Sequence, residues 1–328
     1  MRVLVLGGTA WLGRYTAAAV ARGREVTCLA RGRSGPVAVG AELVEADRER
    51  PGAYDTVRDA VWDTVIEVSW QPGFVRGALA ALAGSARHWV CVSSTSVYAD
   101  AAAVNADESA ALLPAVVGDV ADDGQYGEAK VACEVACRDR VADRLVVARA
   151  GVIGGPGDAS DRCGYWVARS ARAPREPMLV PTEQECPTQV IDVRDLAAWL
   201  VDAAENAVVG TFDAVGPQQP FSEWLATSRR VGGHTGVVAA RSSRWLAEHG
   251  VGSFAGPESM ALWISDPGMY GFAARNGAAA HVAGLRCRSL QATLADVLAD
   301  ERNRGLDRRP RQAGLLPDRE RQLLTTVP

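Results

Sequence analysis

"VLVLGGTAWLG", residues 3–13, runs an apolar segment straight into paired glycines and then, after four residues, into Gly13. A strand that turns at once into a helix needs a residue without a Cβ at the bend, and Gly7 stands there. The N–H groups opening the following helix have no partners within it, and the helix dipole favours negative charge at that end. Such a turn is a cradle for a pyrophosphate. Gly13 lets the helix lie close to the sheet. Gly7, Thr9, Ala10, Trp11, Leu12 and Gly13 are therefore candidate cofactor contacts.

Outward from this turn the first half of the chain alternates short apolar runs with helical stretches: "LGRYTAAAVARG", "EVTCLA", "AELVEAD", "DTVIEVS", "HWVCVSS" and "RLVVARAGVIG". This rhythm reads as βαβ units, and the runs are apolar on both alternating faces, as a parallel sheet covered by helices on both sides requires. The expected fold is α/β: a Rossmann-type doubly wound parallel sheet with a smaller, mostly helical C-terminal substrate lobe. Residues 1–150 form the dinucleotide-binding domain and 187–215 return to it, while 151–186 and 216–328 form the lobe. Trp224, Trp245, Phe254, Trp263, Tyr270 and Phe272 read as lobe core. The arginine-rich stretch from Arg302 to Arg311, interleaved with Glu301 and Asp307, reads as a solvated helix end or tail.

Composition narrows the function. With 328 residues, 48% hydrophobic and 23% charged, the chain is long enough for a large core and has a globular balance. A net charge of -4 and a pI near 5.7 provide no basic footprint for nucleic acid or an anionic membrane. No apolar run reaches membrane-span length and the N-terminus lacks a signal-peptide pattern, so a cytoplasmic location is expected. The seven cysteines are odd in number and contain no Cys-x-x-Cys pair, which points to buried reduced thiols and no metal site.

The end of the second strand addresses the choice of dinucleotide. An NAD site usually offers an acid there to the ribose 2′-hydroxyl, whereas an NADP site offers arginine to a 2′-phosphate. Here "EVTCLARGRS" puts Ala30 in the acid's place, followed by Arg31 and Arg33. NADP is the expected cofactor, with NAD as the alternative.

The catalytic reading starts from "YGEAK". Lys130 is the only lysine among 34 arginines, and it follows Tyr126 by four residues. On a helix this spacing stacks the two side chains on one face. An ammonium beside a phenol stabilises its anion and can also hold the cofactor ribose. Lysine suits this as a compact point charge, where arginine is a planar fork. "CVSSTSVYAD" (91–100) ends a strand with four consecutive hydroxyl residues. Ser94 is the candidate donor to the substrate oxygen and Thr95 the second choice; capping of the adjoining loop is the competing reading of these hydroxyls.

Together "GGTAWLG", "VSSTSVY" and "YGEAK" resemble the extended and atypical branches of the short-chain dehydrogenase/reductase superfamily, the NAD-dependent epimerase/dehydratase family. The resemblance covers residues 1 to about 215. It implies that Gly7, Ala10 and Gly13 form the glycine-rich loop, that Asp47, followed by Arg48, is the adenine-side acid, and that Ser94, Tyr126 and Lys130 are catalytic. Ala10 departs from the middle glycine. Val152 in "RAGVIGGP" stands where nucleotide-sugar members carry a substrate-facing asparagine, which turns the expectation toward a less polar metabolite. The leading expectation is an NADPH-dependent reductase or dehydrogenase acting on a carbonyl or alcohol of a small molecule. A redox-neutral epimerase or dehydratase with tightly bound nucleotide is the alternative. A catalytically silent NADP-sensing or RNA-associated protein is a third reading, and a homodimer is a family expectation.

Overall fold

Strand β1 (Arg2–Leu6) is buried on both faces: Val3 and Val5 pack into one apolar cluster, Leu4 and Leu6 into another. That two-sidedness is the reason an uninterrupted apolar run folds here as a central strand. The computed structural model describes residues 1–326. After β1 come α1 (Trp11–Val20), β2 (Glu25–Ala30), β3 (Ala41–Glu45), β4 (Thr64–Glu67), α2 (Pro72–Leu82), β5 (Trp89–Ser94), α3 (Tyr126–Val141) and β6 (Leu145–Ala150). The chain continues through β7 (Val152–Gly154), α4 (Tyr165–Arg172), β8 (Met178–Pro181), β9 (Pro187–Asp192), α5 (Val193–Glu205) and β10 (Gly210–Ala214).

Seven parallel strands make the main sheet in the order β3-β2-β1-β4-β5-β6-β10. The chain winds outward from β1 to β3, then returns to β4 and winds the other way. The crevice where the direction reverses, outside the carboxyl ends of β1 and β4, is where ligands bind in such sheets. Ala17, Val20, Trp199 and Leu200 of α1 and α5 cover one face; Val75, Leu79, Cys133 and Cys137 of α2 and α3 cover the other. Residues 187–215 are divided. Strand β9 pairs with β7 and with β11 (Gln218–Pro220) in a separate three-stranded sheet, whereas α5 packs on α1 and β10 is an edge strand of the main sheet.

The C-terminal lobe follows, with α6 (Phe221–Gly232), β12 (Val238–Arg241), α7 (Ser243–Glu248), α8 (Ala278–Val282), α9 (Leu290–Arg304) and α10 (Pro317–Thr325). Trp166, Phe221, Trp224 and Trp263 fill its core, and Trp245, Phe254, Tyr270 and Phe272 pack half-buried against it. One expectation is corrected here. The stretch from Arg302 to Arg311 is not a solvated tail: Arg304, Arg308 and Arg311 converge on the buried carboxylates of Asp161 and Glu301. Those acids come from a loop about 140 residues away and from the preceding helix turn, so spacing within the stretch could not reveal its burial.

A second buried polar chain joins lobe and sheet. Arg149 on β6 holds the Glu134 carboxylate of α3 through two bonds of 3.0 and 2.8 Å and donates to the Tyr98 hydroxyl at 2.9 Å. Tyr98 in turn donates to Asp213 at 2.5 Å, and Arg275 of the lobe donates to the same carboxylate at 3.0 Å. Arg275 also stacks on the Tyr98 ring, 3.5 Å from its centre. Removing one partner of such a set strands a buried charge, at a cost of about 3–5 kcal/mol.

All seven cysteines are free thiols, and all but Cys287 are buried. Burial pushes the Cys28 thiol up to about 11 and Cys133 up to about 12, so neither offers a thiolate at neutral pH. No helix among the described residues is long and apolar enough to cross a membrane.

Candidate active site

The crevice at the sheet's reversal point is a cleft of about 290 Å³. The carboxyl ends of four strands border it: Leu6 and Gly7 after β1, Ala30 and Arg31 after β2, Ala46 and Asp47 after β3, and Val68 to Trp70 after β4. Gly7 adopts φ +103°, and a Cβ there would stand 2.6 Å from the Val68 side chain. A Cβ on Gly13 would overlap the Gly7 carbonyl oxygen, so α1 can begin this close to the turn only with glycine at both places. No side chain caps α1 and its first turn carries no acid. The helix therefore presents unpaired N–H groups and its positive dipole end to the cleft, a combination that fits a dinucleotide pyrophosphate.

Thr9 and Ala10 line the cleft with Gly7. Trp11 turns away, its indole N–H donating to the Pro156 carbonyl at 2.9 Å, and Leu12 packs into the core beneath the helix. Their possible contribution to an anion is backbone N–H alone. Arg31 and Arg33 are exposed on the cleft wall beside Ser34. Arg14, which sequence reading did not single out, reaches the same loop from α1, with its Nη1 3.2 Å from a Cβ position built at Gly35. Arg14, Arg31 and Arg33 take part in no ion pair among the described residues, so three guanidinium groups remain open around the end of β2.

Asp47 also lines the cleft, its Oδ1 accepting from the Glu49 N–H at 3.2 Å. Arg48 lines the cleft beside Asp47, but most of its donors turn inward. Its guanidinium donates to both carboxylate oxygens of buried Glu67 (2.9 and 2.5 Å), to the Tyr54 hydroxyl (2.8 Å) and to the Phe74 carbonyl (2.7 Å). Those bonds occupy four of its five N–H donors and leave one on Nη1. The signal that could have warned of this is Glu67 itself, an acid at the end of an otherwise apolar strand.

Lys130, Tyr126 and Ser94 adjoin the cleft without lining it. Behind the cleft wall of Ser69 and Trp70, Lys130 is almost fully buried, and its ammonium donates to the Ser69 carbonyl at 2.8 Å and the Val92 carbonyl at 2.6 Å. Two of its three N–H donors are thereby fixed and one is left. Its Nζ lies 6.0 Å from the centre of the Tyr126 ring. Tyr126 opens α3 and is 37% exposed. The Trp70 ring packs on it at 5.7 Å between centroids, which connects Tyr126 to the cleft that Trp70 lines. Trp70 was missed in the sequence, although it follows β4 by three residues at the ligand-binding edge of the sheet.

Ser94 is half-buried at the end of β5. Its Oγ accepts from the Ser96 N–H and donates to the Ser96 Oγ, both at 3.1 Å, while Thr95 is buried. Ser94 thus caps the short turn Thr95–Val97, against which α3 packs. The loop-capping reading of this hydroxyl describes its bonds here. One residue earlier, Ser93 donates to Glu134 at 2.5 Å, and Glu134 lies one helical turn beyond Lys130 on the face that also carries Tyr126. Burial opposes the Glu134 charge, but Arg149, Ser93 and Arg138 together hold its carboxyl below the usual range. The anchored carboxylate secures the rotation of α3.

The sheet order and its flanking helices define a Rossmann-type α/β protein, and its structural neighbours are NAD-dependent epimerase/dehydratase (extended short-chain dehydrogenase/reductase) family members. A "putative epimerase" from Burkholderia cenocepacia J2315 is 25% identical, with a TM-score of 0.69 over 92% of this chain and 98% of that one. UDP-N-acetylglucosamine 4-epimerase from Bacillus cereus is 16% identical, with a TM-score of 0.64 over 94% and 99% of the two chains. MoeE5, in complex with UDP-glucose and NAD, is 19% identical, with a TM-score of 0.63 over 93% and 99%. No family model and no curated protein matches the chain.

Proposed function

We propose that the protein is an NAD(P)-dependent enzyme that moves a proton at a carbinol or carbonyl oxygen through Tyr126 and Lys130, within a redox-neutral epimerase or dehydratase cycle. The observation that carries this reading is the state of Lys130: buried, with two donors fixed on backbone carbonyls and the third left beside an accessible tyrosine. A structural lysine at a helix end would be solvated or paired with an acid, and this one is neither. The likeness to epimerases favours the redox-neutral cycle.

A nicotinamide bound in the cleft supplies a hydride acceptor and donor. The residues of the chain do the rest. Gly7 and the open N-terminus of α1 bind the pyrophosphate, and the remaining Lys130 N–H orients the ribose. Tyr126 exchanges the proton with the substrate oxygen. Ser94 is the proposed donor to that oxygen, a role that requires its hydroxyl to rotate away from Ser96. Val152, the residue behind the expectation of a less polar metabolite, packs into the apolar core of the lobe and does not line the cleft.

Net reduction with NADPH is the second reading, favoured by the three open arginines at the end of β2, because guanidinium groups match a 2′-phosphate with paired, charge-assisted bonds. One experiment separates the two. The purified protein is assayed for copurifying nucleotide and then followed at the nicotinamide absorbance with a panel of alcohols, ketones and UDP-glucose. Bound nucleotide with no net absorbance change during turnover supports the epimerase or dehydratase cycle; stoichiometric consumption of NADPH supports the reductase. Failure to bind either NADH or NADPH defeats both.

A further inference from the structure

The chain has nine tryptophans, and what becomes of each indole N–H singles one out. Trp11, Trp62, Trp166, Trp199 and Trp263 donate to backbone carbonyls. Trp89 and Trp224 are buried without a partner. Trp245 is half-buried on the lobe, its ring stacked on His249 with Arg241 over it. The remaining one, Trp70, is half-buried and lines the nucleotide cleft, and its N–H has no acceptor among the described residues.

The backbone around Trp70 is held from several directions. The Ser69 carbonyl accepts the Lys130 ammonium at 2.8 Å, and the Trp70 carbonyl accepts the Cys133 thiol at 3.5 Å, both from α3. Gln71 exchanges two bonds of 2.9 Å with the backbone of Ala121, and the Gly73 N–H donates to the Asp119 carbonyl at 2.8 Å. The loop after β4 is therefore tied to α3 and to the segment that leads into it. A large ring is thus set in the cleft wall on a braced backbone while its one polar atom stays unused. Ligand sites combine such an apolar body with a convergent polar group.

The sheet order gives the part of a dinucleotide that this ring faces. On one side of β1 and its glycine turn lie β2 and β3, followed by Arg31, Arg33 and Asp47. On the other lie β4 and β5, whose ends hold the Lys130 ammonium. A pyrophosphate at the turn directs one nucleoside to each side, and the arginines suit the adenosine. Trp70 belongs to the opposite side, between the cleft and Tyr126, whose ring centre is 5.7 Å from its own.

We propose that Trp70 is a binding residue for the nicotinamide nucleoside: its ring lies against that half of the dinucleotide and its N–H donates to an oxygen there. The assignment rests on the reading of the cleft as a nicotinamide-dinucleotide site. Trp70 then touches the cofactor and the Tyr126 ring at once, forming the wall they share.

The test is tryptophan emission and calorimetric titration of the full chain and of Trp70→Phe with oxidised NAD, oxidised NADP and ADP. The electron-poor oxidised nicotinamide quenches an indole against which it stacks, and ADP carries no nicotinamide. The dinucleotide that binds should quench the native emission more than that of the variant, and ADP should show no such difference. Trp70→Phe should bind that dinucleotide about 3- to 10-fold more weakly, the worth of one hydrogen bond, and ADP equally well. Phenylalanine keeps a ring beside Tyr126, and circular dichroism checks that the variant is folded. A dinucleotide that binds both chains with equal affinity and equal quenching overturns the assignment and leaves the cofactor reading standing. A native chain that binds neither dinucleotide overturns both. Should Trp70→Phe not fold, the native chain decides: calorimetric binding of oxidised NAD or NADP without loss of emission overturns the assignment.

Discussion

The Lys130 ammonium lies 6.0 Å from the centre of the Tyr126 ring and is held there by the carbonyls of Ser69 and Val92. Its position is thus set by the loop after β4 and by β5, while Tyr126 and Lys130 share one helix face. The arrangement separates the two residues experimentally. Tyr126→Phe removes only a hydroxyl from a partly exposed ring, so nucleotide affinity and stability should hold while turnover falls by about 10²–10⁴. Lys130→Arg should lose both turnover and nucleotide affinity, because a planar fork does not fit a slot built for a point donor. Steady-state kinetics beside a nucleotide titration check this; an active Tyr126→Phe enzyme would remove Tyr126 from the chemistry.

Gly13→Ala places a methyl group against the Gly7 carbonyl, which is backbone and cannot step aside cheaply. A loss of about 1–3 kcal/mol in stability is expected from the forced shift. Nucleotide affinity should fall with it, since the same shift moves the N–H groups of α1. Urea unfolding and fluorescence titration measure the two effects, and unchanged values for both would show that the turn is looser than the geometry implies.

Arg31 and Arg33 are open on the cleft wall with Arg14 nearby. Replacing Arg31 and Arg33 together by alanine should weaken NADPH by about 10- to 100-fold, the worth of one or two charged hydrogen bonds, and leave NADH within about 2-fold. Calorimetric titration of both nucleotides reads the difference. Equal losses for the two would assign the arginines a general electrostatic role.

Asp213 gives a pH signature. Burial, added to by Glu108, pushes its carboxyl up to about 6 against the lowering effects of Tyr98 and Arg275. The unfolded value is about 3.9, so the folded chain retains a proton that the unfolded chain releases. The stability from this group is therefore complete below about pH 4 and lost as pH rises through 6, by about 3 kcal/mol. Asp213→Asn should remove that slope. Comparing the stability of the native and variant chains at pH 4.5 and 7 isolates it from the depressed carboxylates Glu134, Asp192 and Glu301, which act in the opposite direction and are common to both. A native-minus-variant difference that is constant across this range would contradict the raised value.

Read alone, the amino-acid sequence determined the parts whose cause is local. Apolar runs of strand length set the parallel sheet, glycine at positions 7 and 13 set the turn into α1, and a four-residue spacing put Tyr126 and Lys130 on one helix face. Each follows from backbone geometry and side-chain periodicity within a few residues. The tertiary structure alone decided the rest, because there the cause lies far along the chain. Glu67, nineteen residues on, takes two donors of Arg48. Trp70 reaches the Tyr126 ring from the loop after β4. Asp161 draws Arg308 and Arg311 out of solvent, turning a stretch that reads as surface into a largely buried ion-pair cluster. A charged side chain is solvated or buried according to whether packing brings it a partner of opposite charge, and no local pattern encodes that meeting.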